Sequence, residues 1–423
     1  MSLSKYSFKA MGPGLLFAAV SVGVSHLVQS TRAGAGYGFA LVWVILLALI
    51  LKYPLFEFGQ RYAVATGSTL LEGYRRQGKW SLVLYLILTL TTMFAVLAAV
   101  TAVTAGMAIQ LTGWKPSISI LSPVELWSLM LIIIGLLILG IGRFPLMDKI
   151  VKGVMVVLAV STVVAVISLV PHLYGICLWG KMGLMDIGFI VALVGWMPTG
   201  MDVSVWQSLW TLAREQETGH TPSLDETLFD FKVGYMGTAI LALMFCFLGT
   251  AVMFDKGITV EDSAGAFAGQ IIELYTSALG SWSRPIIVVS AFTTMLSTML
   301  TVSDGFPRAL QMVGRRFRTA EEKHEVLQVS GNSWDYWLWL AILAGGAMLI
   351  IVFYLESLAG LVDLATTLSF LSAPFLGLLT YRAVTASWVA PEFRPGRWLQ
   401  LLAIISIAFL TVFSFVFLYF RFF

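Results

Sequence analysis

Apolar residues run through this chain in long, nearly unbroken stretches that are separated by short polar ones. A helix needs about 20 apolar residues to cross the hydrocarbon core of a bilayer, whereas the strands of a membrane barrel are shorter and alternate polar with apolar residues. The pattern therefore predicts an all-α polytopic membrane protein. We count eleven transmembrane helices, at roughly 12–30, 39–58, 81–112, 123–142, 148–171, 187–212, 232–254, 284–303, 336–355, 359–384 and 398–420.

The composition agrees with this assignment and excludes other classes. Of the 423 residues, 58% are hydrophobic and 12% are charged, and the mean hydropathy is +0.88. A soluble fold could not hide so much apolar surface, and so few charges exclude both disorder and a nucleic-acid-binding surface. We expect one transmembrane domain over residues 1–423. The two cysteines, Cys177 and Cys246, imply neither a disulfide framework nor a metal site.

Lysine and arginine residues are concentrated in alternate polar segments, and cytoplasmic loops carry an excess of these residues. Their distribution predicts a cytoplasmic N-terminus and an external C-terminus in the plasma membrane, which is the inner membrane if the source is bacterial. The cytoplasmic set is Lys5, Lys9, Arg61, Arg75, Arg76, Lys79, Arg143, Lys149, Lys152, Arg214, Lys232, Arg308, Arg315, Arg316, Arg318, Lys323, Arg382, Arg394 and Arg397. The outer set is smaller: Arg32, Lys115, Lys181, Lys256, Arg284 and Arg421.

Two of the predicted helices are interrupted near their middle. The first carries Gly23, Ser25 and His26 at mid-membrane depth, and the sixth carries the segment 197–202, which reads MPTGMD. Proline removes a backbone donor and clashes with the preceding helical turn, and glycine lowers the cost of opening that turn. We therefore predict unwound backbone near 23–26 and 197–201, buried in protein or lining a wet cavity.

The two interruptions are five helices apart and so lie in oppositely oriented helices. Breaks at matching positions of two halves indicate a transporter with inverted repeats and a binding site at the bilayer midplane. The predicted architecture has helices 1–5 over about 12–171, helices 6–10 over about 187–384, and an extra helix 11 over about 398–420. The alternative is a pair of packing kinks, because glycine and proline are common in membrane helices.

His26 is the one histidine, and Asp202 the one acidic residue, that we place deep in a span. An ionisable residue at this depth is costly and indicates function by default. In one interpretation the two residues face a cavity, and either is a candidate for the coupling proton, since histidine changes charge near neutral pH. In the other they form a structural pair that satisfies itself. Both interpretations require the two side chains to lie close together.

Several segments resemble the NRAMP family of divalent-metal transporters, in the family's order and spacing. The likeness covers most of the chain and implies a LeuT-type fold that moves Mn²⁺, Fe²⁺ and related ions with protons. The segments are GPGLLFAA (12–19), TRAGAGYGF (31–39), FEFGQRYAVATGSTLLEGYRR (56–76), GRFPLMDKIVKG (142–153), Met197-Pro198, SDGFPR (303–308) and LSAPF (371–375).

The site residues depart from the family pattern. Where the family's first helix has Asp-Pro-Gly-Asn, this chain has Gly-Val-Ser-His at 23–26, so both oxygen ligands are missing. The family's metal-binding methionine matches Met197 and its neighbouring alanine matches Val194, but two histidines of its sixth helix match Thr199 and Ser204. The acidic proton-pathway residues of its third helix have no counterpart in 90–112.

The altered site leaves two classes of substrate open. A divalent metal cation, expected from the resemblance, would use Met197, His26 and Asp202, a set that suits borderline ions better than Mg²⁺. A small polar organic solute, such as a carboxylate or an amino-acid-like molecule, is favoured by Trp196 and Trp206 beside the break and by the room at Gly23. The predicted substrate-binding residues are Gly23, Ser25, His26, Trp196, Met197, Thr199, Gly200 and Asp202. Hydroxyl groups of helices eight and ten are further candidates, unless they bond back to their own helices: Thr293, Thr294, Ser297, Thr298, Thr366, Thr367 and Ser369.

Other functional classes fit the sequence less well. A channel needs a continuous lined pore, and an intramembrane enzyme would show a motif such as H-E-x-x-H or G-x-S-x-G, which is absent here. A sensor that binds its ligand without moving it stays open. We expect a secondary transporter without a cofactor, whose partners are the bilayer, a small solute or divalent cation, and protons, and which needs no oligomer.

The predicted topology can be tested with reporter fusions. The polar segment 308–334 follows helix eight and carries five basic residues between 308 and 323, so a reporter fused there should be active only in the cytoplasm. A reporter fused after helix eleven should report an external location. A fusion that places 308–334 outside the cell would contradict the predicted orientation.

Overall fold

The computed structural model describes residues 10–141, 144–173, 186–254, 256–318, 333–355 and 357–423, with the backbone alone for 144–152, 154–155 and 172–173. Several sequence assignments lie outside this part: Lys5, Lys9, Arg143, Cys177, Lys181, Lys323, residues 319–332 of the loop 308–334, and the side chains of Lys149 and Lys152. The described chain is helical, with one isolated β-bridge between Ile118 and Leu121.

Fifteen α-helices follow one another along the described residues. They are α1 (Pro13–Ser21), α2 (Thr31–Tyr37), α3 (Val42–Thr66), α4 (Leu70–Gln77), α5 (Lys79–Thr112), α6 (Pro123–Ile141), α7 (Phe144–Leu173), α8 (Ile187–Gly195), α9 (Val203–Thr218), α10 (Leu224–Gly249), α11 (Ala264–Leu279), α12 (Arg284–Arg318), α13 (Trp334–Tyr354), α14 (Leu358–Val384) and α15 (Arg397–Phe422). Two π-helical segments, Val22–Ser30 and Thr250–Phe254, continue α1 and α10.

Nine helical segments of the described part are long and apolar enough to cross a membrane. They are Pro13–Tyr37, Val42–Thr66, Lys79–Thr112, Pro123–Ile141, Leu224–Phe254, Ser281–Arg318, Trp334–Tyr354, Leu358–Val384 and Arg397–Phe422. The other two predicted spans correspond to α7, whose side chains are partly outside the described residues, and to α8 with α9, which are too short singly. An all-α membrane protein is confirmed, and the count of eleven stays a prediction.

The two interrupted spans lie against each other inside the bundle. The first span contacts both pieces of the sixth, since α1 touches α9 and the π-helical segment after α1 touches α8. Around them, α3 packs along α9, α14 packs along α8, and α5 packs against α12 and α14. The first span is buried over 83% of its most apolar window, whereas α15 is buried over 17% and lies at the periphery.

The start of the first span is fixed by α10. The Asp230 carboxylate accepts hydrogen bonds from the backbone N–H groups of Gly12, at 3.2 Å, and Gly14, at 2.6 Å. Free N–H groups at a helix start need such acceptors. Gly234 lies one turn farther along α10, and a Cβ atom there would collide with the carbonyl group of Gly14. The two helices therefore cross with their backbones in contact.

This crossing predicts opposite effects for two glycines of one helix. Gly234→Ala should lower the melting temperature of the purified protein, because its methyl group would push α1 away from α10. Gly237→Ala is the matched control, since nothing lies within 4 Å of a Cβ at that position. The control should be neutral or slightly stabilising, because alanine favours helix over glycine by about 1 kcal/mol. Equal melting temperatures for the two variants would contradict the close crossing.

Candidate functional site

The sixth span is broken where the sequence predicts. The first piece, α8, ends at Gly195, the second piece, α9, begins at Val203, and residues 196–202 form turns between them. Two hydrogen bonds between residues three apart lie at the ends of this segment. Met197 N–H donates to the Val194 carbonyl at 3.3 Å, and Val203 N–H donates to the Gly200 carbonyl at 3.2 Å. The interruption is therefore a compact turn rather than a loose loop.

The first span changes less than the sequence predicts. Residues 22–30 stay helical in a widened, π-type form, and the non-helical dihedral angles are confined to Gly23, with φ −68° and ψ −128°. The prediction of an unwound stretch over 23–26 is therefore wrong in its extent. A side chain at Gly23 would collide with Thr298 of α12, whose hydroxyl donates to the Ala19 carbonyl at 3.1 Å. The absence of a side chain at Gly23 thus lets α12 approach the first span.

A small cavity lies between the two interrupted spans, α5, α12 and α14. The cavity volume is about 30 Å³, which is enough for one or two water molecules or an ion. Five of the eight predicted binding residues line it: Ser25, Trp196, Thr199, Gly200 and Asp202. The rest of the lining is Val20, Val24, Val96, Val100, Val203, Trp206, Thr298, Val302, Phe306 and Ser369.

Asp202 is the charged residue of this lining. It sits at the start of α9 and is 4% exposed, and its Oδ1 atom is buried without a hydrogen-bond partner. The positive end of the helix dipole favours a carboxylate at this position. The Nε1 atom of Trp206, another lining residue, is also buried without a partner. Two residues of the cavity wall thus carry a buried polar atom, one an acceptor and one a donor, that no described protein atom satisfies.

The indole of Trp196 is held in place by α14. Its Nε1 donates to the Ser369 hydroxyl at 2.8 Å, and that hydroxyl donates in turn to the Ala365 carbonyl at 3.0 Å. Trp206 packs edge-to-face on Phe306, with ring centroids 4.8 Å apart. Three aromatic rings and the aliphatic side chains of six valines thus make the cavity mostly apolar.

His26 does not lie with Asp202. The imidazole is fully buried, its Nδ1 lies 2.8 Å from the Ser25 hydroxyl, and its Nε2 lies 2.9 Å from the Thr238 carbonyl of α10. Both ring nitrogens therefore have partners, one on the first span itself and one on α10. Neither bonds to Asp202, so the structural pair is not formed, and His26 does not line the cavity that Asp202 borders.

The proposed metal ligands do not converge either. Met197 is completely buried but does not line the cavity, and neither does His26 or Gly23. Within the described residues, no group of three His, Cys, Asp or Glu side chains could hold a metal ion. A metal bound at the cavity would rely on Asp202 and on hydroxyl and carbonyl oxygens.

Lys52 is a functional candidate that the sequence does not reveal. It is completely buried in α3, and its Nζ atom donates to the carbonyl oxygens of Val194, at 2.6 Å, and Gly195, at 2.8 Å. These are the last carbonyls of α8, next to the break. One signal is visible in retrospect: the lysine stands inside the otherwise apolar run 41–51 and 53–56.

Proteins of related sequence were found over nearly the whole chain. The family model described as natural resistance-associated macrophage protein-like matches residues 14–420. An uncharacterized protein of Pasteurella multocida is 34% identical over 420 residues, which are 97% of this chain and 92% of that protein. The metal transporter Nramp6.2 of Populus trichocarpa is 29% identical over 140 residues, which are 32% of this chain and 23% of that protein.

Solved structures share the fold at low sequence identity. A manganese transporter of Eremococcus coleocola, in a histidine-to-alanine variant, superposes with a TM-score of 0.71 at 15% identity, over 96% of this chain and 85% of that one. The transporter MhsT in complex with L-phenylalanine gives a TM-score of 0.60 at 15% identity, over 95% and 98% of the two chains. The chain thus has the LeuT-type fold.

The surroundings of the two ionisable residues predict different melting behaviour. His26→Ala removes a buried ring and its hydrogen bonds, which should destabilise the protein by about 2–4 kcal/mol. Asp202→Asn should leave the melting temperature unchanged or raise it, because a buried carboxylate oxygen without a partner is costly. Thermal melts of both purified variants measure the difference. A larger loss for Asp202→Asn than for His26→Ala would contradict this assignment.

Proposed function

The chain belongs to the natural resistance-associated macrophage protein (NRAMP) family, and on that premise we propose how it selects and moves its substrate. It is a multi-pass secondary transporter, not an enzyme. We propose that the substrate binds in the cavity between α8, α9 and the first span, and that alternating access occurs around this site. We further propose that Asp202 is its principal binding residue.

The observation that carries this proposal is the free Asp202 oxygen at the cavity wall. A charge at bilayer depth costs about 2.5–3.5 kcal/mol even on a lenient scale. A cation in the cavity would remove that cost by pairing with the carboxylate. The site should therefore bind a cation, or a solute with a cationic group, rather than an anion.

A divalent metal cation is the first candidate, because NRAMP-family proteins move such ions. In this chain it would bind Asp202 with the hydroxyls of Ser25, Thr199 and Thr298, all of which line the cavity. One carboxylate leaves an excess positive charge in a mostly apolar space, and hard divalent ions want more oxygen ligands. This ligand set should therefore bind Mn²⁺ and Fe²⁺ only weakly.

A small polar organic solute is the second candidate, and the aromatic lining favours it. Trp196, Trp206 and Phe306 line the cavity with six valines, which suits an organic body better than a bare ion. The ammonium group of an amino-acid-like molecule would pair with Asp202 and lie close to aromatic rings. The cavity must widen to admit such a molecule, because its volume is about 30 Å³.

Proton coupling is assigned to Asp202 rather than to His26 in this proposal. Asp202 borders the cavity, whereas the ring nitrogens of His26 contact Ser25 and Thr238. The protein would work in the plasma membrane, with its N-terminus in the cytoplasm and its C-terminus outside.

We expect Mn²⁺ transport to be weak or absent. Purified protein in proteoliposomes should show no saturable Mn²⁺ uptake at micromolar concentrations, because the site has one carboxylate. Removing even a residue that hydrogen-bonds to a metal ligand costs about tenfold or more in metal affinity. A screen of thermal stabilisation by metals and small metabolites identifies the actual substrate, since a bound ligand raises apparent stability. Robust saturable Mn²⁺ uptake would contradict the expectation.

The same assay tests Asp202 once a substrate has been identified. Asp202→Asn should abolish uptake and the stabilisation by substrate. Asp186→Asn is the matched control, because Asp186 is an exposed carboxylate that caps the N-terminus of α8 through Gly188 N–H at 2.8 Å. It should retain uptake. Full transport by Asp202→Asn would refute the proposed site.

A further inference from the structure

The ammonium group of Lys52 sits where a bound cation would sit. Its Nζ atom lies 2.6 Å and 2.8 Å from the carbonyl oxygens of Val194 and Gly195, and the side chain is completely buried. Among the described residues, no carboxylate forms an ion pair with it. The partners of this lysine are thus backbone oxygens.

The carbonyls that Lys52 binds have a special electrostatic role. The last carbonyls of a helix lack the N–H donor four residues farther on, and together they carry about half a negative charge. The Val194 carbonyl accepts from Met197 N–H at 3.3 Å beside the shorter bond from Lys52. At the break of the sixth span these groups lie inside the bundle and away from bulk water. In transporters with interrupted helices, such carbonyl ends coordinate Na⁺ or protons.

We propose that Lys52 is a built-in substitute for a bound monovalent cation at the carbonyl end of α8, so that the transporter needs no inorganic cation there. This inference rests on the proposed transport site, since it concerns the helix break that forms the site. It assigns Lys52 a positioning role: its ammonium holds the end of α8 and, with it, the turn that carries Trp196 into the cavity.

The two ends of the break are then charged by the chain itself. Lys52 brings a positive charge to the carbonyl end of α8, and Asp202 brings a negative charge to the N–H end of α9. Each charge has the sign that the adjacent half-helix dipole favours. A second cation beside Lys52 would therefore be repelled, whereas the Asp202 carboxylate stays free to pair with a cationic substrate.

The test is to empty the position and ask whether a small cation fills it. Lys52→Ala and Lys52→Ser leave space beside the two carbonyls. Purified variants are melted in NaCl, LiCl or KCl against N-methylglucamine chloride at equal ionic strength. At saturation, at least one of the small cations should raise the melting temperature of these variants by about 3 °C or more. The wild-type protein should show no such dependence.

Two controls separate this effect from general salt stabilisation. Lys52→Met removes the charge but fills the space, and Lys79→Ala removes an exposed lysine at the start of α5; neither should respond to the choice of cation. If Lys52→Ala folds only when a small cation is present during extraction, the inference is also supported. If neither the alanine nor the serine variant gains stability or folded yield from any small cation, the inference is overturned.

A further readout distinguishes this inference from the proposed function. The melting experiment needs no substrate, so it can succeed or fail whether or not the protein transports. Uptake of the identified substrate by wild-type protein in Na⁺-free buffer should be undiminished, whereas Lys52→Ala should regain uptake only when the stabilising cation is added. Wild-type uptake that requires Na⁺ would overturn the substitution by Lys52.

Discussion

Backbone groups freed by an interrupted helix find no water in the hydrocarbon core, and this constraint shapes the centre of the molecule. The break in the sixth span meets it with protein atoms on both sides. Lys52 donates to the carbonyls of Val194 and Gly195, and turn hydrogen bonds use the N–H groups of Met197 and Val203. What remains open at the second piece is the Asp202 carboxylate, which faces the cavity.

The sequence predicts the break of the sixth span better than that of the first, and the difference is local chemistry. Pro198 removes a donor and clashes with the turn before it, and Gly195 and Gly200 lower the cost of opening that turn. Proline alone does not force a break, since Pro54 and Pro307 lie inside continuous helices. Gly23 permits a kink but does not force one. The first span has its non-helical dihedral angles at Gly23 alone and is otherwise helical. Thr298 of another helix lies against Gly23, and the local sequence cannot supply such a contact.

The sequence predicts which polar residues are buried better than it predicts the direction in which their side chains point. Ser25, Trp196, Thr199, Gly200 and Asp202 reach the predicted cavity. His26 is completely buried, but its Nε2 atom faces the Thr238 carbonyl of α10 rather than the cavity. The role of Lys52 cannot be predicted from the sequence for a related reason. A lysine in an apolar run is usually expected to extend toward the membrane surface, and the carbonyl partners of Lys52 lie more than a hundred residues away in the chain.

Helix α3 contacts both pieces of the broken sixth span, and these contacts restrict how the two pieces can move. Lys52 holds the end of α8, and Gly59, about two helical turns farther along, lies against the Ser204 carbonyl of α9 more closely than any side chain would allow. α3 therefore braces the break from outside, through Lys52 on one fragment and Gly59 on the other. A motion that separates α8 from α9 has to pull one of them off α3, whereas a motion that keeps both contacts carries α3, α8 and α9 together as one rigid body.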